Sequence, residues 1–235
     1  MGNSGYVTLT RQAGLLNEIQ RIANNMSNIS TTGYRKSGAI FSEYVFADHE
    51  GGSLSMANAN VVRTDFRQGP LTQTGGSLDF AIEGDGFFLI QTPNGDQLTR
   101  AGSFSPNAFG DLVTPDGYPV LDIGGAPIFI PPDARNIAVA SDGTLSADGR
   151  PLTQIGLFEA ADPIHLTHTE GTRFDAGDVV PVEGGVILQG FLEESNVDPI
   201  SEIARMIEVQ RAYELGQKFL DQENDRIRNV LKTLT

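Results

Sequence analysis

Leu15-Leu16-Asn17-Glu18-Ile19-Gln20-Arg21-Ile22-Ala23-Asn24-Asn25-Met26-Ser27-Asn28-Ile29 places apolar side chains at Leu15, Ile19, Ile22, Met26 and Ile29, in alternating steps of four and three. That spacing draws a narrow apolar stripe along one helix face, the seam of a coiled coil. Near the other end of the chain the same steps run through Met206, Val209, Tyr213, Gly216, Leu220, Glu223, Ile227, Val230 and Leu234, interrupted only by Gly216 and Glu223. So narrow a stripe encloses no core of its own. Each helix therefore needs a partner, either from the other end of the chain or from another copy, and the pattern points to assembly rather than to catalysis.

The first helix is expected to run from about Thr8 to Thr31-Thr32-Gly33, where glycine supplies the left-handed residue that commonly ends helices. The second is expected to open at Asp198-Pro199, because an aspartate accepts bonds from free backbone N–H groups and proline tolerates the first helical position. Between them, Phe87-Phe88-Leu89-Ile90, Ile128-Phe129-Ile130 and Ile155-Gly156-Leu157-Phe158 read as strands, punctuated by the turn dipeptides Asn94-Gly95, Asp116-Gly117, Asp142-Gly143 and Asp148-Gly149. The organisation read from these signals is an N-terminal assembly helix over 1–33, an extended connector with short strands over 34–78, a β domain over 79–190 and a C-terminal assembly helix over 191–235. The fold class is α+β, a hairpin-rich all-β central domain inserted between N- and C-terminal heptad-patterned helices that pack as a coiled coil.

With 235 residues, 39% of them hydrophobic, the chain is long enough for a sizeable core. The absence of cysteine excludes disulfides, thiolate metal sites and thiol nucleophiles. There is no apolar run of membrane-spanning length, and the opening residues lack the basic and apolar regions of a secretory signal, so neither membrane insertion nor classical secretion is expected. The net charge of −14 is uneven: the first 36 residues hold Arg11, Arg21, Arg35 and Lys36 against Glu18 alone, while the middle is strongly acidic. Such a surface repels nucleic acid and anionic lipid, and no nucleic-acid partner is expected.

The motifs that suggest chemistry are each better explained by structure. Glu83-Gly84-Asp85-Gly86-Phe87-Phe88-Leu89 begins like a dinucleotide loop but has Leu89 in place of the third glycine and leads into a strand. The stretch Asp142 to Gly149 lacks the alternate acidic ligands and closing glutamate of a calcium loop. His165 and His168, with Glu170 nearby, lie in a strand or loop where that spacing puts the imidazoles on opposite faces. His49 sits in the polar connector Asp48-His49-Glu50, and no Gly-x-Ser-x-Gly elbow accompanies any histidine. Asp79, Glu83 and Asp85 belong to a general excess of carboxylates. No catalytic residue, cofactor site or metal site is assigned; a β-domain enzyme or carbohydrate-binding module is the remote alternative.

Ile22-Ala23-Asn24-Asn25-Met26-Ser27-Asn28-Ile29-Ser30-Thr31-Thr32-Gly33-Tyr34-Arg35 resembles the IANNxANxxTxGF(K/R) signature of bacterial flagellar axial proteins. The blocks Gln68 to Phe88, Thr99 to Phe104, Gln189 to Asp198 and Met206 to Glu214 agree with it, so the resemblance takes in nearly the whole chain. Ser27, Tyr34 and Gly75-Gly76 are its small departures. Within the flagellar basal-body rod family, the short length and the stretches Asn3 to Val7 and Phe41 to Val45 look most like the proximal-rod members, with distal-rod or hook members as the alternative.

The resemblance implies a structural subunit of a torque-transmitting rod that crosses the periplasm, with itself and other rod subunits as partners in a helical assembly. It also implies export through the flagellar type III apparatus without a cleaved signal. Its interface residues are then the two seams together with Asn24, Asn25, Asn28, Gly33, Asn196 and Arg211. The asparagines either bond the backbone of a neighbouring subunit or cap the helix within one chain, and Arg211 either pairs with an acidic neighbour in the next subunit or lies on a solvated face.

Overall fold

The computed structural model describes residues 3–47, 53–162, 164, 166–182 and 184–234. In chain order it runs α1 (Asn3–Ser27), β1 (Ser37–Ala47), β2 (Ser53–Thr64), β3 (Leu71–Gln73), β4 (Phe80–Glu83), β5 (Phe87–Thr92), β6 (Gly95–Thr99), β7 (Ser105–Pro106) and β8 (Leu112–Val113). Then follow β9 (Ile137–Val139), β10 (Thr144–Ala147), β11 (Arg150–Gln154), β12 (Leu157–Ala160), β13 (Thr167–His168), β14 (Arg173–Asp175), β15 (Val179–Pro181), β16 (Val186–Gln189), β17 (Phe191–Glu193) and α2 (Pro199–Leu234). The chain divides into two units: α1, α2 and the segment Lys36–Asp65 form one, while Ile29–Arg35 and Phe66–Asn196 form the other.

In the helical unit, α1 starts earlier than its apolar period suggests and stops at Ser27, short of Thr31-Thr32-Gly33. The local polar chemistry explains the stop. The Ser27 hydroxyl and the Asn28 amide both donate to the Asn24 carbonyl, at 2.9 and 2.8 Å, beside the last helical bond from Asn28 N at 3.2 Å, so short polar side chains fold back onto the final turn and favour a turn over continued helix. Ile29 therefore leaves the helix and drops out of its seam, and Gly33 is not a helix cap. Helix α2 begins at Pro199 with Asp198 as its cap: Ile200 N donates to the carboxylate at 3.1 Å and the Ser201 hydroxyl at 2.5 Å. These bonds, that of Ser201 first, hold the Asp198 carboxyl below its usual range.

The two helices pack antiparallel. Leu15, Ile22 and Val209 are buried between them, with Ile19, Met26, Met206, Ala212 and Tyr213 packed around. Three fully buried aliphatic side chains contribute roughly 1.5–3 kcal/mol each, so the pair is held by a small core. The same unit contains a long antiparallel hairpin, β1 with β2, in register from Ser37 opposite Thr64 and broken by a bulge between Ile40 and Ser42. It replaces the short strands expected of the connector, because an extended polar stretch such as Ser53 to Asn60 becomes a strand once a partner supplies its backbone bonds.

The β unit is built round a six-stranded sheet in the order β13-β14-β6-β5-β12-β15, accompanied by the three-stranded β11-β10-β9 and the pairs β16-β4, β17-β3 and β7-β8. Strand β5 explains why Phe87 to Ile90 is apolar without alternation. Its neighbours point to opposite faces, and both faces are covered: Phe88 and Ile90 enter one core with Phe80, Ile82, Leu112 and Leu145, while Phe87 and Leu89 enter another with Leu98, Phe158 and Phe174. At Asp148-Gly149 both residues have positive φ, 50° and 79°, as a tight turn joining β10 to β11 requires. Ile128 to Ile130, by contrast, forms isolated bridges, Pro127 to Leu121 and Phe129 to Asp111, rather than a continuous strand. With two cores of thirteen and eight buried residues, this unit carries far more apolar burial than the helix pair.

Candidate functional site

Three features stand out, a buried polar clasp in each unit and an apolar seam that is only partly closed. The first clasp lies in the β unit, where Arg35 and Glu193 are fully buried and Arg100 is 4% exposed. Arg35 Nη1 meets Glu193 Oε1 at 2.5 Å, and Arg100 Nη1 meets Oε2 at 3.1 Å. Gly69 N also donates to Oε1, at 2.9 Å, and the Glu193 carbonyl accepts from Gly33 N at 2.7 Å. One glutamate thus ties the segment after α1 to the segment before β3 and to the end of β6. The arginines also bond backbone, Arg35 Nη1 donating to Arg67 O at 3.0 Å and Arg100 Nη2 to Gly84 O at 2.7 Å, while Arg35 Nε and Nη2 and Arg100 Nε are buried without a hydrogen-bond partner. Burial pushes the Arg100 guanidinium below its ordinary pKa, against the attraction of Glu193, and the charge of Arg35 lowers it further. Gly33 belongs to the same corner, with φ of 71° and backbone so close that a Cβ would fall on the Ala101 nitrogen.

The second clasp lies in the helical unit. Asn25, 1% exposed, donates through Nδ2 to Ser37 O at 2.9 Å and to Glu202 Oε2 at 3.0 Å, and its Oδ1 accepts from Ser37 N at 3.0 Å. Lys36 Nζ holds the other oxygen of the buried Glu202 at 2.5 Å. The single amide serves as a strand partner for Ser37 and as a donor to a carboxylate. Replacing it strands both groups, and an unsatisfied buried polar group costs about 1–3 kcal/mol. Asn25→Ala is therefore expected to speed hydrogen exchange at Ser37 and through the α1–α2 pair, while exchange at Ser37 as slow as in the parent would contradict this role.

The seam divides into a closed and an open part. Leu15, Ile22 and Val209 are buried within the chain, whereas Ile227 and Val230 are 49% and 51% exposed and Leu220 is half-buried. Leu234 closes α2, its side chain outside the described part. Arg211 and Asn24 are exposed, Asn28 bonds its own helix end, and Asn196 donates to Arg67 O at 2.9 Å. Gln12 bridges the pair by donating to Tyr213 O at 3.1 Å, and Arg205 meets Glu18 at 2.7 Å.

The triad of Arg35, Arg100 and Glu193 has no signature in the sequence, since its members stand far apart in the chain and no local pattern joins them. Of the discarded motifs, Glu83 to Phe87 is the turn from β4 to β5, and the Asp142 carboxylate is taken up by Thr144 N and its hydroxyl, each at 3.0 Å. His168 stacks edge-on against Tyr34 and Phe174, and His49 and His165 lie outside the described residues. Among the described residues no three potential ligands gather for a metal, and no helix is long and apolar enough to cross a membrane.

Comparison with known proteins gives a family for the chain. Residues 81–147 match the family described as flagellar hook protein FlgE/F/G D1 domain, and residues 188–233 match flagellar basal body rod FlgEFG protein C-terminal. The chain is 36% identical over 243 residues to the flagellar basal-body rod protein FlgF of Mesorhizobium japonicum, covering 100% of this chain and 98% of the relative. It is 37% identical over 246 residues to the protein of that name from Caulobacter vibrioides, again covering 100% and 98%. The flagellar basal-body rod protein FlgG of Bacillus subtilis is 31% identical over 260 residues, covering 98% of each chain.

Proposed function

The chain belongs to the flagellar basal-body rod protein family, and we propose from that premise that its terminal helices are the surface through which it joins copies of itself and neighbouring rod subunits. It is a structural subunit of the rod and resembles the FlgF branch more than the FlgG branch, at 36% and 37% identity against 31%. The observation that carries the proposed mode of assembly is the division of the seam: its middle closes within the chain, while Ile227 and Val230 stay exposed on the same stripe. A rod transmits torque through many side-by-side contacts, and a helix pair with apolar residues to spare supplies them without a ligand pocket.

The finer placement follows the family. The subunit sits in the proximal section of the rod in the periplasm and reaches it through the flagellar type III export apparatus. The closed seam accounts for Leu15, Ile19, Ile22, Met26, Met206, Val209 and Tyr213, while Arg211, Leu220, Ile227, Val230 and Leu234 are left to meet other subunits. Deleting the gene is expected to abolish motility by halting assembly before the hook. Electron microscopy of basal bodies from the deletion strain tests this, and complete rods and hooks there would overturn the structural role. Density for the subunit in isolated basal bodies decides between proximal and distal positions.

A further inference from the structure

We propose that Met26 and Met206 form an oxidation site, at which hydrogen peroxide converts both thioethers to sulfoxides and so opens the helix pair while the β unit stays folded. Composition makes the chemistry selective. The chain has no cysteine and no tryptophan, so the thioethers of its four methionines are the side chains that a peroxide attacks most readily. Two of the four stand on the seam.

Met26 lies in the last turn of α1 and Met206 near the start of α2. Both are half-buried and pack against the small core of Leu15, Ile22 and Val209. That degree of burial leaves them within reach of an oxidant carried by solvent, yet in contact with the residues that hold the pair closed. They also flank the polar clasp: Met26 follows Asn25 in the chain, and Met206 stands one helical turn beyond Glu202, to which Asn25 donates at 3.0 Å.

In the reaction a sulfur lone pair attacks one peroxide oxygen. The S–O bond forms as the O–O bond breaks, the second oxygen leaves as water together with the proton of the first, and sulfur is oxidised as the peroxide is reduced. The product is a strong acceptor with a large dipole. Leu15, Ile22 and Val209 offer it no donor. A sulfoxide that stays packed is therefore a buried polar group without a partner, and one that turns to water leaves the core short of apolar cover. The two cores of the β unit contain no methionine, so the same treatment has nothing to act on there.

The test uses the full chain. Purified protein is treated with hydrogen peroxide at a dose that oxidises free methionine in the same solution, and its peptides are weighed for added oxygen. Met26 and Met206 are both expected to gain one oxygen. Amides of α1 and of the first half of α2 are expected to exchange about tenfold faster, with β5, β6 and β12 unchanged. Methionine sulfoxide reductases for both epimers are expected to restore slow exchange. The double variant Met26→Leu, Met206→Leu keeps the side-chain volume, and its exchange is expected to be indifferent to peroxide.

Either methionine left unmodified at that dose, both modified with exchange unchanged, an acceleration that the reductases do not reverse, or an equal acceleration in the double variant would each overturn the proposal. If the double variant exchanges fast before treatment, reversal by the reductases in the parent chain decides. The consequence for assembly rests on the rod reading, since a subunit with its helix pair open lacks the surface proposed for joining its neighbours. Complete rods in the gene deletion refute that reading and leave the oxidation site standing, whereas exchange indifferent to peroxide refutes the site alone.

Discussion

Glu193→Gln is expected to lower the stability of the β unit by about 3–5 kcal/mol, the usual cost of removing one member of a buried ion pair. The substitution keeps the shape of the side chain and its capacity to accept a bond from Gly69, but leaves Arg35 and Arg100 facing one another without a countercharge. Both guanidiniums are buried, so water cannot replace the carboxylate. The loss of its attraction also leaves burial and Arg35 pushing down the Arg100 pKa against Asp85 alone. The chain contains no tryptophan and has two units, so the appropriate readout is hydrogen exchange resolved along the chain under mild denaturant. Faster exchange throughout β4, β5, β6 and β17 is the expected result. A change below about 1 kcal/mol would mean that the triad contributes no more than an exposed pair.

The triad also shows which parts of the molecule could be read from the sequence. Asp198-Pro199 announces α2 because the chemistry of a helix start is local: a carboxylate, a ring without N–H and a hydroxyl within one turn. Asp148-Gly149 likewise marks its own turn. Phe87 to Ile90 identifies a strand because both of its faces are buried. The end of α1 was misjudged for a reason that is equally local. The apolar period continues to Ile29, but the side chains of Ser27 and Asn28 fold back onto the Asn24 carbonyl beside the last helical bond and favour a turn there. The hairpin β1–β2 was hidden because pairing, rather than side-chain alternation, makes those residues strands. Arg100 and Glu193 are ninety-three residues apart. Both lie, with Arg35, in blocks that resemble the family, but nothing in a block says which of its charged residues meet.

Ile22→Asp should have its largest effect on the free chain, because the seam around it closes within one subunit. With Ile22 4% exposed between Leu15 and Val209, the introduced carboxylate would already be buried in a single subunit. Burying an unpaired charge costs several kcal/mol, comparable to everything the small core of the helix pair supplies. The pair is expected to separate. Amides of α1 and of the first half of α2 should exchange at least tenfold faster, a factor that corresponds to about 1.4 kcal/mol, while the β unit, with separate cores, keeps its protection. Ile227→Asp is the informative contrast, because a half-exposed position on a helix surface tolerates a charge within about 0.5 kcal/mol. Its exchange pattern in the free chain should match the parent, and its defect should appear only when copies associate. Equal effects of the two substitutions on the free chain would show that the seam is a single uniform core, whereas an unperturbed helix pair in Ile22→Asp would show that the burial of Ile22 contributes little to holding it closed.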